Sequence, residues 1–230
     1  MEKLAYFVLK DATTPGAALA RPLREHVAPA LLADAHVRGL TLEIPDLADD
    51  PRVTDAHLTG RGREIGAAVF VWLDTVDRRG IVEEALAGLG TGLAGYLVTE
   101  SVVQPYAARD WADGEPSPGV TQLVTFSQPS GLPDETFFER WHGRISQLSF
   151  ALHPTRRCYV RNVVARVLTP GAPAWRGIVV ERWDRLEEWL DPKQLYSSQA
   201  LFDEMQAVGF ADPASVNLTL SSEWILRSIA

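Results

Sequence analysis

Cysteine is almost missing from this chain. Cys158 stands alone among 230 residues, so no internal disulfide can form. Long apolar runs are missing too, and no stretch approaches the roughly 20 residues a helix needs to cross a bilayer. The opening segment "MEKLAYFVLKDATTPG" has one lysine before a short alternating run and no cleavage-like small residues after a long apolar core. It reads as a first strand and not as a signal peptide, which with the lone cysteine gives the expectation of a reducing, cytoplasmic setting. Basic charge is in deficit, with 22 Lys and Arg against 30 Asp and Glu and a net charge of −8. That balance opposes binding to nucleic acid or an anionic membrane, since the nearest basic cluster, "GRGRE" at 60–64, holds only two arginines.

Catalytic signatures are absent in the same way. The five histidines at 26, 36, 57, 142 and 153 show no H-x-H or H-E-x-x-H spacing, so no metal site is expected. Neither a G-x-S-x-G nucleophile elbow nor a phosphate-binding P-loop occurs. The run "GTGLAG" at 90–95 satisfies G-x-G-x-x-G, but a helical run precedes it and a strand follows. Dinucleotide binding needs the reverse order, so these glycines are expected to end a helix and start a strand.

What the chain does have is an internal repeat. "VRGLTLEI" at 37–44 resembles "VRNVVARV" at 160–167, and "TESVV" at 99–103 resembles "SEWIL" at 222–226, both at an offset of 123. The element order agrees. Strands over 3–10, 36–44, 64–75 and 95–106 with helices over 17–35 and 77–89 give β-α-β-β-α-β, and the order recurs after a Pro, Gly and Asp-rich break at 108–119. The expectation is an α+β chain made by tandem duplication of a ferredoxin-like unit: a diverged N-terminal half at 1–107, a linker at 108–119 and a C-terminal half at 120–230. Strands such as "AAVFVWL" are too apolar for one wet face, so the second copy's sheet is expected to cover the first. In that arrangement the space between helix and sheet becomes the expected pocket.

The second half also carries a resemblance. Phe138 four residues before His142 on a helix, then Tyr159, Val160 and Asn162 opening a strand, then Asp203, Glu204, Phe210 and Asp212, resemble the EthD-like family of the dimeric α+β barrel superfamily. The resemblance covers most of 120–230 and implies a ferredoxin-like barrel whose two halves here come from one chain. Its superfamily includes polyketide cyclases, muconolactone isomerases, metal-free monooxygenases and haem proteins. In the first half, Pro22 takes the place of the aromatic residue and no Tyr-x-x-Asn follows.

Candidate residues follow from the helical wheel. Phe137, Phe138, Trp141, Ile145 and Leu148 form one stripe that docks the helix, with His142 at its edge. There His142 is either a proton shuttle at a pocket rim or a hydrogen-bonded histidine at a helix boundary. The matching stripe in the first half is Leu19, Leu23, Val27 and Ala30, and in that register His26 aligns with Arg144. Tyr159 or Asn162 could hold a ligand carbonyl, and Phe138, Trp141 and Trp224 could enclose a ring. Glu223 and its repeat Glu100 are carboxylates among apolar neighbours, expected to pair with Arg161 and Arg38.

The functional expectation is a cofactor-independent enzyme that moves a proton on a hydrophobic aromatic or polyketide-like small molecule, as a cyclase, isomerase or dehydratase does, with His142 as acid or base. Two alternatives stand beside it: a non-catalytic binding or accessory protein for a hydrophobic metabolite, and a haem-binding barrel using one helical histidine. Self-association as a homodimer is left open.

Overall fold

The computed structural model describes residues 1–229, and eight strands in it close into a single antiparallel barrel. The strands are β1 (Glu2–Leu9), β2 (Val37–Ile44), β3 (Ile65–Leu73), β4 (Gly92–Gln104), β5 (Val120–Phe126), β6 (Cys158–Val167), β7 (Gly177–Trp183) and β8 (Asn217–Arg227). Around the barrel the order is β1-β3-β2-β8-β5-β7-β6-β4. The first four strands are therefore ordered 4-1-3-2, and the second four repeat that order as 8-5-7-6. Two ladders, β2 with β8 and β4 with β6, join the halves edge to edge, so no strand edge is left unpaired.

The second half's sheet covers the first as expected: the bare faces curve round to look at each other across the barrel interior. This also explains why "AAVFVWL" is so apolar: within β3, alternate residues Ala68 and Phe70 fill the interior, while Ala67, Val69 and Val71 meet helices. The interior core gathers Ala5, Phe7, Ala68, Phe70, Ala94, Tyr96, Leu123, Val164, Ile178 and Val180.

Helices cover the outer wall. In the first half they are α1 (residues 20–33) and α2 (Gly80–Leu86); in the second, α3 (residues 134–152), α4 (Leu186–Leu190), α5 (Pro192–Leu195) and α6 (Gln199–Ala207). The glycine-rich run follows α2 and leads into β4 as expected, and Gly88, before it and just past the helix end, has φ 76°, a left-handed conformation in which glycine lacks the Cβ strain of other residues.

Both long helices contain a widened, π-type turn, Leu23–Val27 in α1 and Glu139–Ile145 in α3. A wider turn advances the buried stripe by about one residue relative to a regular wheel. Hence Leu31 is buried where the regular wheel pointed to Ala30, and Ser149 and Leu152 are buried beyond a half-buried Leu148. The stripe residues Leu23 and Val27, and Phe137, Trp141 and Ile145, are buried as expected. Leu31→Ala is expected to cost about 2–5 kcal/mol in urea unfolding, whereas Ala30→Ser, on the exposed face, stays within about 0.5 kcal/mol.

Candidate functional site in the barrel mouth

The space between helix and sheet, expected to form the pocket, is packed solid. Behind α3, Phe126 meets Trp141 edge-on at 4.9 Å and Phe210 at 5.1 Å, and Phe137 closes the layer. A cavity of about 270 Å³ opens instead inside one mouth of the barrel. Side chains reach it because odd positions of β1 and β2, and even positions of β3, point inward: Lys3, Thr41, Glu43, Phe70 and Trp72. Across the mouth, Glu100, Cys158, Val160, Val180, Glu223 and Ile225 complete the wall.

The connection between β4 and β5 lies over this mouth. Pro105, Tyr106 and Arg109 line the cavity from it. Its backbone is tied to β8 by Gly114 N–H donating to Ile225 O at 2.8 Å and Ser117 N–H donating to Glu223 O at 2.9 Å. Arg109 pairs with Asp113 and donates to the Ser228 hydroxyl at 2.8 Å, clasping the connection to the end of β8.

Two carboxylates face each other on the cavity wall. Glu43 of β2 is registered directly against Glu223 of β8, and both are buried. A single guanidinium serves the pair: Arg182 lies 3.3 Å from Glu223 and also donates to the Thr121 hydroxyl at 2.6 Å and to Pro118 O at 2.7 Å. The Tyr106 hydroxyl donates to Glu223 Oε1 at 2.9 Å, and the Ser221 hydroxyl donates to Glu43 Oε2 at 2.8 Å. Glu43 Oε1 is buried and has no hydrogen-bond partner among the described residues. Burial first, and then the charge of Glu223, push the Glu43 carboxyl up to about 8. The shift favours the protonated form of Glu43 at neutral pH, beside the Arg182–Glu223 pair. Burial likewise raises the Tyr106 hydroxyl and pushes the Cys158 thiol up to about 12, so Cys158 remains an unreactive thiol.

A second charge pair sits in the same mouth. Lys3 Nζ donates to Glu100 Oε1 at 2.6 Å and stands 4.6 Å from the Phe70 ring centroid and 4.5 Å from that of Trp72. The Trp72 indole N–H reaches Glu100 Oε2 at 3.3 Å. Strand register relates the two pairs: Lys3 is matched with Trp72 and Val98 in the first half, Thr121 with Arg182 and Ser221 in the second. Lys3, Trp72 and Glu100 thus occupy the positions that Thr121, Arg182 and Glu223 occupy in the other half.

The acidic residues Glu100 and Glu223 do form ion pairs, but with partners other than those expected. Arg161 points outward toward α3, donating to the Ser146 hydroxyl, and Arg38 pairs with Asp74 on the surface. Each lies on the wrong side of its strand to meet an inward carboxylate.

The residues singled out from sequence are spread over three places. His142 is half-buried on α3, packed against Phe138 and Trp141, and lines neither the mouth cavity nor the pocket of about 240 Å³ at the other barrel end. Burial and then Arg161 lower its imidazole to about 4, and its Nε2 has no partner among the described residues. Phe138, Trp141 and Tyr159 belong to the same helix-facing layer. Trp224 faces outward on β8 and stacks under the Arg24 guanidinium, 3.6 Å from its ring, against the core of the first half. Asn162 faces the barrel interior, fully buried, and donates to Ile178 O at 3.2 Å. Sequence reasoning missed Lys3, Glu43, Tyr106 and Arg182. The available signal was strand parity, because Lys3 shares a face with Ala5 and Phe7, and Glu43 interrupts an otherwise apolar strand.

No family model matches the chain, and no curated protein matches its sequence. Solved structures do match. A proposed monooxygenase from Lactobacillus acidophilus NCFM aligns with a TM-score of 0.52 at 10% identity, over 99% of this chain and 96% of that one. An anthrone oxidase-like protein aligns with a TM-score of 0.54 at 13% identity, over 99% and 94%. A point mutant of chlorite dismutase from Candidatus Nitrospira defluvii aligns with a TM-score of 0.53 at 13% identity, over 98% and 91%. At these identities the likeness establishes the fold alone, a closed eight-stranded antiparallel barrel with helices on its outer wall. No helix is long and apolar enough to cross a membrane, and no group of three or more His, Cys, Asp or Glu is placed to hold a metal ion among the described residues.

Haem, the cofactor entertained from sequence, does not fit these residues. Neither pocket is lined by a histidine, and the layer beside His142 is filled by Phe137, Phe138 and Trp141.

The Glu43 proton has a thermodynamic signature. Its carboxyl is raised from the ordinary 4.5 to about 8, so the folded state holds an extra proton between those values and stability falls as pH rises through that window. The slope is at most about 1.4 kcal/mol per pH unit. In urea unfolding from pH 5 to 8, Glu43→Gln is expected to lose this decline relative to the parent chain. His142 has the opposite sign: its neutral form is favoured, so the stability it contributes is lost as pH falls from 6.5 toward 4. In a histidine NMR titration its ring is expected to stay neutral down to about pH 5.

Proposed function

We propose that the chain is an enzyme that moves a proton on a small hydrophobic, aromatic or polyketide-like molecule held in the barrel mouth, without a cofactor, as a cyclase, isomerase or dehydratase does. The observation that carries this reading is the Glu43 carboxyl: fully buried, registered against Glu223, and presenting an unpartnered oxygen on the cavity wall, with burial shifting it toward its protonated form. A carboxyl tuned near neutrality can give a proton to a carbonyl oxygen and take one back from an adjacent carbon. The Arg182 and Tyr106 contacts hold Glu223 in place beside it, so the two carboxyls stand in different settings.

The remaining wall suits such a substrate. Phe70, Trp72, Val160, Val180 and Ile225 give flat apolar surfaces, and Val102 and Ile229 leave an exposed apolar rim at the entrance. The cavity volume lies near the lower end of small-molecule sites, which run from about 300 Å³ upward, and so favours one or two fused rings. The oxidase and monooxygenase descriptions of two structural neighbours are compatible with a ring-bearing substrate. In this reading the proton-transfer role first considered for His142 passes to Glu43, because His142 lies on the far side of the wall. Membership of the EthD-like family, and origin by tandem duplication of a ferredoxin-like unit, are part of the same proposal. The repeated strand order and the matched Lys3 and Thr121 positions support the duplication.

Titration calorimetry with hydroxylated naphthalenes and tetralones tests the reading. Binding to the parent chain is expected, with loss on Val160→Trp, which fills the cavity. Glu43→Gln is expected to bind within a fewfold of the parent while turnover of a bound ketone, followed by exchange of its α-hydrogen in D₂O, falls by about 10²–10⁴-fold. Equal exchange in Glu43→Gln would leave the chain a binding protein for the same ligands and end the enzymatic reading.

A further inference from the structure

The chain strongly prefers arginine for its positive charge, with nineteen arginines and only three lysines. Its other buried ion pairs follow that preference: Arg156 with Glu181 on the outer wall and Arg182 with Glu223 inside the barrel. Arginine is the better residue for a permanent buried pair, since its planar fork never loses its charge, whereas a lysine amine can be uncharged by burial and then becomes a nucleophile. The barrel mouth holds one lysine, Lys3, 7% exposed.

We propose that Lys3 is a carbonyl-reactive amine that forms an iminium with aldehydes or ketones entering the barrel mouth, with Glu100 as its proton carrier. The proposal rests on the reading of this cavity as the substrate site. Three arrangements support it. Lys3 lines the cavity and has a single hydrogen-bond acceptor, Glu100 Oε1, which leaves its other two N–H positions free. Phe70 and Trp72 flank the amine with flat walls that suit an aryl or alkyl body attached to the carbonyl. Glu100 is itself held by the Trp72 indole, so the acid beside the amine keeps its orientation. Burial lowers the Lys3 amine against the opposing pull of Glu100, with Cys158 and Glu223 the remaining titratable groups that face it.

The step balances without an oxidant or reductant. The Lys3 ammonium gives one proton to Glu100, the free Nζ lone pair attacks the carbonyl carbon, the carbonyl π electrons move to oxygen, and one proton passes from the nitrogen to that alkoxide to give a neutral carbinolamine. Glu100 returns its proton to the hydroxyl, the C–O bond breaks, water leaves and a C=N⁺ bond remains.

The lysine count makes the test direct. The native protein at pH 7 is treated with benzaldehyde and sodium cyanoborohydride, whose hydride fixes any iminium as a benzylamine. Peptide mapping then compares Lys3 with Lys10, whose ammonium is tied to Thr14 O and Arg63 O, with Lys193 and with the amino terminus. Lys3 is expected to label at least about tenfold faster than Lys193. That preference should vanish in urea and slow in Glu100→Gln, while Lys3→Arg, which keeps the charge, removes the fast site. Labelling of Lys3 no faster than Lys193 in the folded protein would overturn the proposal, and undiminished labelling in Glu100→Gln would overturn the role of Glu100. Labelling of Lys3 is read by mapping the parent chain and α-hydrogen exchange by comparing Glu43→Gln with it in D₂O, so a failure at Lys3 and a failure of the Glu43 reading are told apart.

Discussion

Everything in this molecule depends on closure of one sheet. A four-stranded sheet with helices on one face leaves the other face bare and two edges unpaired, and either defect alone makes an isolated half a poor structure in water. Pairing β2 with β8 and β4 with β6 removes both at once. The bare faces become an interior, and the interior is what permits charged side chains to stand out of water opposite their partners.

Closure also sets the cost of the site. Lys3, Glu43, Arg182 and Glu223 are each buried, and each ion removed from water is several kcal/mol dearer unless a partner and further hydrogen bonds compensate. Arg182 meets that requirement with Thr121, Pro118 and Glu223, and Lys3 meets it with Glu100 and two aromatic faces. Glu43 does not, and burial shifts it toward its neutral form for that reason. A core built only for stability would place apolar residues at these four positions, as the other end of the interior does with Phe7, Tyr96 and Trp175 in mutual contact.

The fold was legible in the sequence because it is written in periodicity. Strands alternate, helices carry a stripe, and both patterns recur in one order with an offset that brings Glu100 onto Glu223. The site was harder to read because it depends on which strands become neighbours through closure. Glu43 and Glu223 are 180 residues apart and meet only once β2 is zipped to β8. His142 drew attention for its aromatic setting, yet that setting is the packing layer between α3 and the sheet. The widened turns in α1 and α3 were invisible to a regular wheel, which is why Leu31 and Ser149 changed places with Ala30 and Leu148.

The connection that runs from β4 to β5 has a meaning beyond its length. A barrel assembled from two identical chains repeats every wall position twice, so any residue useful once must be tolerated a second time. Joining the halves into one polypeptide lifts that obligation. The register positions that hold Lys3 and Trp72 in one half hold Thr121 and Arg182 in the other, giving a titratable amine in the first and a permanently charged guanidinium in the second. A homodimer is forbidden that division of labour by its own symmetry, and the peptide link is what makes it available.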